Sequence, residues 1–92
     1  PLTNPGRARQ ALALASMRRA EAPGAALLAW RGGTMSDASE AAILSLYGPT
    51  FTPADHDARM DALLWDGATA QASRQIAYVS PAARAGFMAR LA

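Results

Sequence analysis

The sequence predicts an all-α fold of about six short helices, set as antiparallel hairpins in a right-handed superhelical array of the tetratricopeptide kind. Three observations lead there. Alanine makes up roughly a quarter of the chain, and it has the highest helix propensity of any residue. Start and stop signals recur at short intervals: Thr52-Pro53, Ser80-Pro81, Gly32-Gly33, Gly48-Pro49 and Gly67. No segment alternates apolar and polar residues with period two, so no strand is expected.

The elements follow in order. A first helix over residues 5–20 has Asn4 as its N-cap and Pro5 at N1, where the missing N–H does no harm. Its stripe of Ala8, Ala11, Leu12, Ala15 and Arg19 is mostly small, which implies close helix–helix approach. Ala22-Pro23-Gly24 breaks it. A second helix, 23–31, stops at Gly32-Gly33. The third starts at Ser36 or Asp37, where Ser36 with Ser39 and Glu40 approximates a capping box, and it runs to Gly48-Pro49. Its apolar stripe is Ala42, Ile43, Leu46 and Tyr47. The fourth, 53–66, is capped by Thr52 and ended by Gly67 at a left-handed C′ position. His56, Met60, Leu63 and Leu64 share one face, and Asp55 with Arg59 forms an i, i+4 pair. The fifth, 69–78, buries Ala72, Gln75, Ile76 and Val79. The sixth starts at Pro81 and carries Ala85, Met88, Ala89 and Leu91.

One stretch echoes another. Ala26-Leu27-Leu28-Ala29-Trp30 is similar to Ala62-Leu63-Leu64-Trp65, about 35 residues later, the length of a helix-pair repeat. Each hairpin in such a stack leaves an apolar face for its neighbour, so a piece cut from the stack is expected to self-associate.

The 92 residues make one small domain or a piece of a larger one. Both ends read as cut, so the expectation is a single helical-repeat segment (1–92) of a longer chain. All nine basic residues are arginine, and they are spread along the chain, a poor footprint for nucleic acid. No apolar run reaches transmembrane length. The absence of cysteine excludes disulfides and thiol chemistry.

No constellation for catalysis, a metal or a cofactor emerges. His56 is the only histidine, and without a second nitrogen or sulfur ligand it reads as a partly buried polar residue near a helix start. Asp55, Asp57, Asp61 and Asp66 lie on a helix rather than in a calcium loop, and the first two favour the helix dipole. Glu21 and Glu40, the only glutamates, are expected to be solvated. Trp30, Trp65, Tyr47, Tyr78, Phe51 and Phe87 are read mainly as hairpin filling. Residues 63–79 permit a helix-turn-helix reading, with Gly67 in the turn and residues 70–75 as recognition helix, but little phosphate-binding charge surrounds it.

Residues 52–92 resemble the helical superhelix domain of bacterial soluble lytic murein transglycosylases. The features are an Asp55-His56 entry, an Arg-x-Asp-x-Leu-Leu-Trp-x-Gly core from Arg59 to Gly67, Ala72 with Arg74, and Pro-x-x-Arg-Ala from Pro81 to Ala85. Residues 36–51 fit as the preceding helix; residues 1–35 match in helical character alone.

The resemblance implies a U- or ring-shaped periplasmic array that precedes a lysozyme-like domain cleaving the MurNAc–GlcNAc bond of peptidoglycan to a 1,6-anhydro product. The family's catalytic Glu-Ser pair has no counterpart here, so the catalytic domain is absent and no catalytic residue carries over. The partners implied are peptidoglycan and the remaining helices and catalytic domain of the same polypeptide. Arg59, Arg74, Arg84 and Trp65 are the candidate ligand contacts. The rival expectations are a tetratricopeptide-like protein-interaction module and a small helix-turn-helix DNA-binding domain.

Overall fold

A computed structural model describes residues 2–92. Six helices follow one another: α1 (Asn4–Ser16), α2 (Ala22–Gly32), α3 (Asp37–Tyr47), α4 (Pro53–Trp65), α5 (Thr69–Gln75) and α6 (Pro81–Leu91), with one 3₁₀ turn at Gly48–Thr50. No strand occurs among the described residues, and the fold is all-α.

Local chemistry sets the ends. Thr52 and Asp55 close a reciprocal capping box at the start of α4. At its other end Gly67, at φ +69°, lets the amides of Gly67 and Ala68 return to the carbonyls of Leu64 and Leu63.

Several helix ends and caps differ from expectation. Thr3, not Asn4, caps α1. The Asn4 amide instead donates to the carbonyls of Ala29 (2.9 Å) and Thr34 (2.8 Å), tying the start of α1 to the end of α2. The first helix stops at Ser16 rather than 20, because Arg18 turns left-handed (φ +56°) and the Arg19 amide reaches back to Leu14. Helix α5 ends at Gln75, where the amides of Ala77 and Tyr78 tighten into i→i−3 turns. The third helix lacks the expected box: Ser36 caps the Ser39 amide, and Glu40 faces elsewhere.

Packing divides the molecule into two lobes. Helix α2 lies against α1, α3 and α4; α4 lies against α2, α5 and α6. The first lobe buries Ala8 and Ala11 of α1, Ala26, Ala29 and Trp30 of α2, Met35 and Ile43. Alanines at the α1–α2 contact bring the backbones close, and the Trp30 ring fills the space they leave. A fully buried aromatic of this size removes about 200 Å² from water, on the order of 5 kcal/mol. The second lobe buries Met60, Leu63, Ala72 and Val79, with Phe87 and Leu91 of α6 half-buried against them. The lobes lie along a body of 40 × 25 × 20 Å.

The repeat echo does not put equivalent residues in equivalent places. Leu27 and Leu63 lie 36 positions apart, but Trp30 and Trp65 lie 35 apart. One residue is about 100° of helix. The position 36 before Trp65 is Ala29, which is as fully buried as Trp30, so helix phase does not separate the two rings. Trp65 is 86% exposed and fills no hairpin core because no helix covers its face.

Candidate functional site

The most organised polar region is the joint between the lobes. The capping box sets the entry of α4, and one turn on this helix aims His56 and Arg59 at α2 and α5. Both are buried, Arg59 to 1% exposure. The Arg59 guanidinium lies 4.2 Å from the centroid of the Trp30 ring. Its Nε donates to the Gly33 carbonyl (3.2 Å) and its Nη1 to Glu40 Oε2 and Gln75 Oε1 (both 2.9 Å). Its Nη2 reaches Gln71 Oε1 (3.3 Å). One cation thus gathers the α2–α3 loop, α3 and α5. Burial lowers its pKa and the Glu40 carboxylate opposes that, but guanidinium stays protonated.

His56 completes the chain of bonds. Trp30 Nε1–H donates to His56 Nδ1 at 3.2 Å. The Gln75 amide nitrogen donates to the His56 carbonyl (3.1 Å) and lies 3.3 Å from Nδ1. An indole nitrogen only donates, so Nδ1 accepts and the neutral ring carries its proton on Nε2. Tyr78 stacks on the imidazole, with centroids 5.3 Å apart, and Phe51 meets its edge. Burial pushes the His56 pKa down; Asp55 and Asp57 oppose this and Arg59 reinforces it.

Ion pairs rim the joint. Asp55 binds Arg31 at 2.7 Å rather than the expected Arg59, because its carboxylate is turned to the capping bond and toward α2. The Thr52 amide bond, with help from Arg31, holds this carboxyl below the ordinary range. Glu40 is not solvated as expected: Arg59 and Arg74 take one oxygen each. Asp57 caps α6, accepting from the Ser80 amide (2.8 Å) and hydroxyl (2.7 Å). No buried side-chain polar atom among the described residues lacks a partner.

The four candidate contacts are not brought together. Arg59 lies inside the joint. Arg74, half-exposed, is held by Glu40 (2.8 Å) and Asp37 (3.0 Å). Arg84 reaches the Val79 carbonyl at 3.4 Å. Trp65 stands free at the end of α4. Sequence reasoning passed over Trp30, Gln71, Gln75 and Glu40 as joint residues; a Gln at a helical core position was the one available signal. Nor do Gln71, Arg74 and Gln75 present a base-reading face, since all three bond within the protein.

Among the described residues no group of three His, Cys, Asp or Glu side chains could hold a metal ion. No described helix is long and apolar enough to cross a membrane. An open cleft of about 310 Å³ lies between α1 and α2, over Leu2, Arg7, Gln10, Ala25 and Leu28. Comparison with protein-family models, with curated proteins and with solved structures finds no match.

Proposed function

We propose that this chain is a non-catalytic helical scaffold segment of a periplasmic peptidoglycan lytic transglycosylase. In that reading a catalytic domain elsewhere in the same polypeptide cleaves the glycan, and these helices hold the strand and its peptides. The observation that carries the reading is where the resembling residues lie. Asp55, His56, Arg59 and Arg74 are cross-links of the joint; Gly67 ends α4 and Pro81 opens α6. These of the resembling residues, unlike the exposed Trp65 and Arg84, fix how helices meet, and that supports a shared architecture.

The packing of α1 on α2, α2 on α4 and α4 on α6 suits a short helix stack, although α3 and α4 do not pack as a hairpin. The same stack, with its open α1–α2 cleft, also suits a tetratricopeptide-like module that binds a peptide. Digestion of purified peptidoglycan by the full-length polypeptide, with mass spectrometry of the products, separates the two. Anhydro-muropeptides that disappear when this segment is expressed alone support the scaffold. Their absence from the full-length digest overturns it and leaves the peptide-binding module.

A further inference from the structure

We infer that His56 is an acid-sensitive latch on the joint: its imidazole holds α2, α4 and α5 together only while Nδ1 is free to accept. The chain of bonds has a fixed direction. Arg59 at one end can only donate, so Gln75 must turn its oxygen toward Arg59 and its NH₂ toward His56. Trp30 at the other end can only donate as well. Two donors therefore converge on one imidazole nitrogen.

A proton added at Nδ1 meets those donors with a third. Turning the Gln75 amide over would offer the imidazolium an oxygen. It would also aim NH₂ at the Arg59 guanidinium and at the His56 carbonyl an oxygen, two new mismatches in a buried place. Turning the ring over would remove the acceptor of the Trp30 indole. The joint has no relaxed arrangement for the charged ring, and opening is the remaining response.

The surrounding charges agree. On its own helix Asp55 and Asp57 would favour the imidazolium, but Asp55 is held by Arg31 of α2 and Asp57 by Ser80. Arg59 repels it. Beyond Arg59, Glu40 of α3 is shared with Arg74 of α5, and from the segment after α5 only the neutral Tyr78 ring faces the imidazole. Burial lowers the His56 pKa from 6.5 in the closed joint, whereas an opened joint returns it to the ordinary value. The closed state is then fully favoured above about 6.5. Below that the opening constant rises up to tenfold per pH unit until the lowered closed-state value is passed.

The test is an NMR pH titration of this chain between pH 8 and 4.5, with amide hydrogen exchange at each end. As the only histidine, His56 reports unambiguously through its ring Cε1–H. The expected result is a midpoint below 6.5, the Trp30 indole N–H shifting with that same midpoint while the exposed Trp65 does not, and α4 amides opening more as the pH falls below 6.5, by up to about tenfold per pH unit. His56→Gln, which accepts without titrating, should abolish the acid-induced opening. A midpoint at or above 6.5, a Trp30 signal indifferent to the titration, or unchanged α4 exchange overturns the latch. If His56→Gln fails to fold, the wild-type titration decides alone.

Discussion

The guanidinium carbon of Arg59 lies over the Trp30 ring, 4.2 Å from its centroid, so that the largest buried aromatic and the only fully buried cation among the described residues share one place. The pair sits where the two apolar clusters meet. A place over an aromatic ring lets a weakly hydrated, planar cation leave water while its nitrogens stay hydrogen-bonded.

Arg59 is therefore expected to be irreplaceable by another cation. Arg59→Lys keeps the charge but lacks the fork that reaches Gly33, Glu40, Gln71 and Gln75 together. A loss of about 2 kcal/mol or more is expected in urea melts followed by circular dichroism, and about 3–5 for Arg59→Ala. A lysine variant as stable as the parent would mean that the network does not hold the lobes.

The two tryptophans should behave oppositely. Trp30→Ala removes the centre of the first lobe and should cost about 3–5 kcal/mol. Trp65→Ala, at an 86% exposed position, should stay within about 0.5 kcal/mol of the parent. Equal effects in thermal melts would contradict the burial of Trp30 and the exposure of Trp65.

Two glycines provide a further contrast. Gly33 has φ +100°, and a Cβ there would come 2.9 Å from Cβ of Ala62 on α4. Gly33→Ala should cost more than about 2 kcal/mol. Gly86 lies in α6 with nothing near its missing Cβ. Gly86→Ala should gain about 0.5–1 kcal/mol, read by the same melts.

Acid should also weaken the start of α4, in a window below that of His56. The Asp55 carboxyl is held below its ordinary 3.8, chiefly by the Thr52 amide. A depressed carboxyl stabilises above its unfolded value and loses that contribution as pH falls through the folded one. The stability difference between the parent and Asp55→Asn should thus be constant near neutrality and shrink below about pH 4. A difference that persists unchanged at pH 2.5 would remove the charge from the explanation.

What could be read in the sequence was what neighbours in the chain decide. Thr52-Pro53 and Gly67 mark α4 because a cap and a left-handed stop act within one turn. The Arg59–Glu40 pair escaped because its partners are 19 residues apart, while a nearer carboxylate at Asp55 suggested itself. Whether a tryptophan is covered depends on which distant helix packs against its face, so similar local sequence leaves Trp30 buried and Trp65 exposed. Tyr78 was expected inside α5; the helix ends early and the ring stacks on His56, a contact that local periodicity does not encode.

The most direct measurement on the scaffold reading is co-sedimentation of this chain with purified peptidoglycan sacculi, followed by mass spectrometry of the supernatant. The expected result is a chain that pellets with the sacculi and releases no muropeptide. A chain that stays in solution like an unrelated helical protein, or that releases muropeptides by itself, would contradict it.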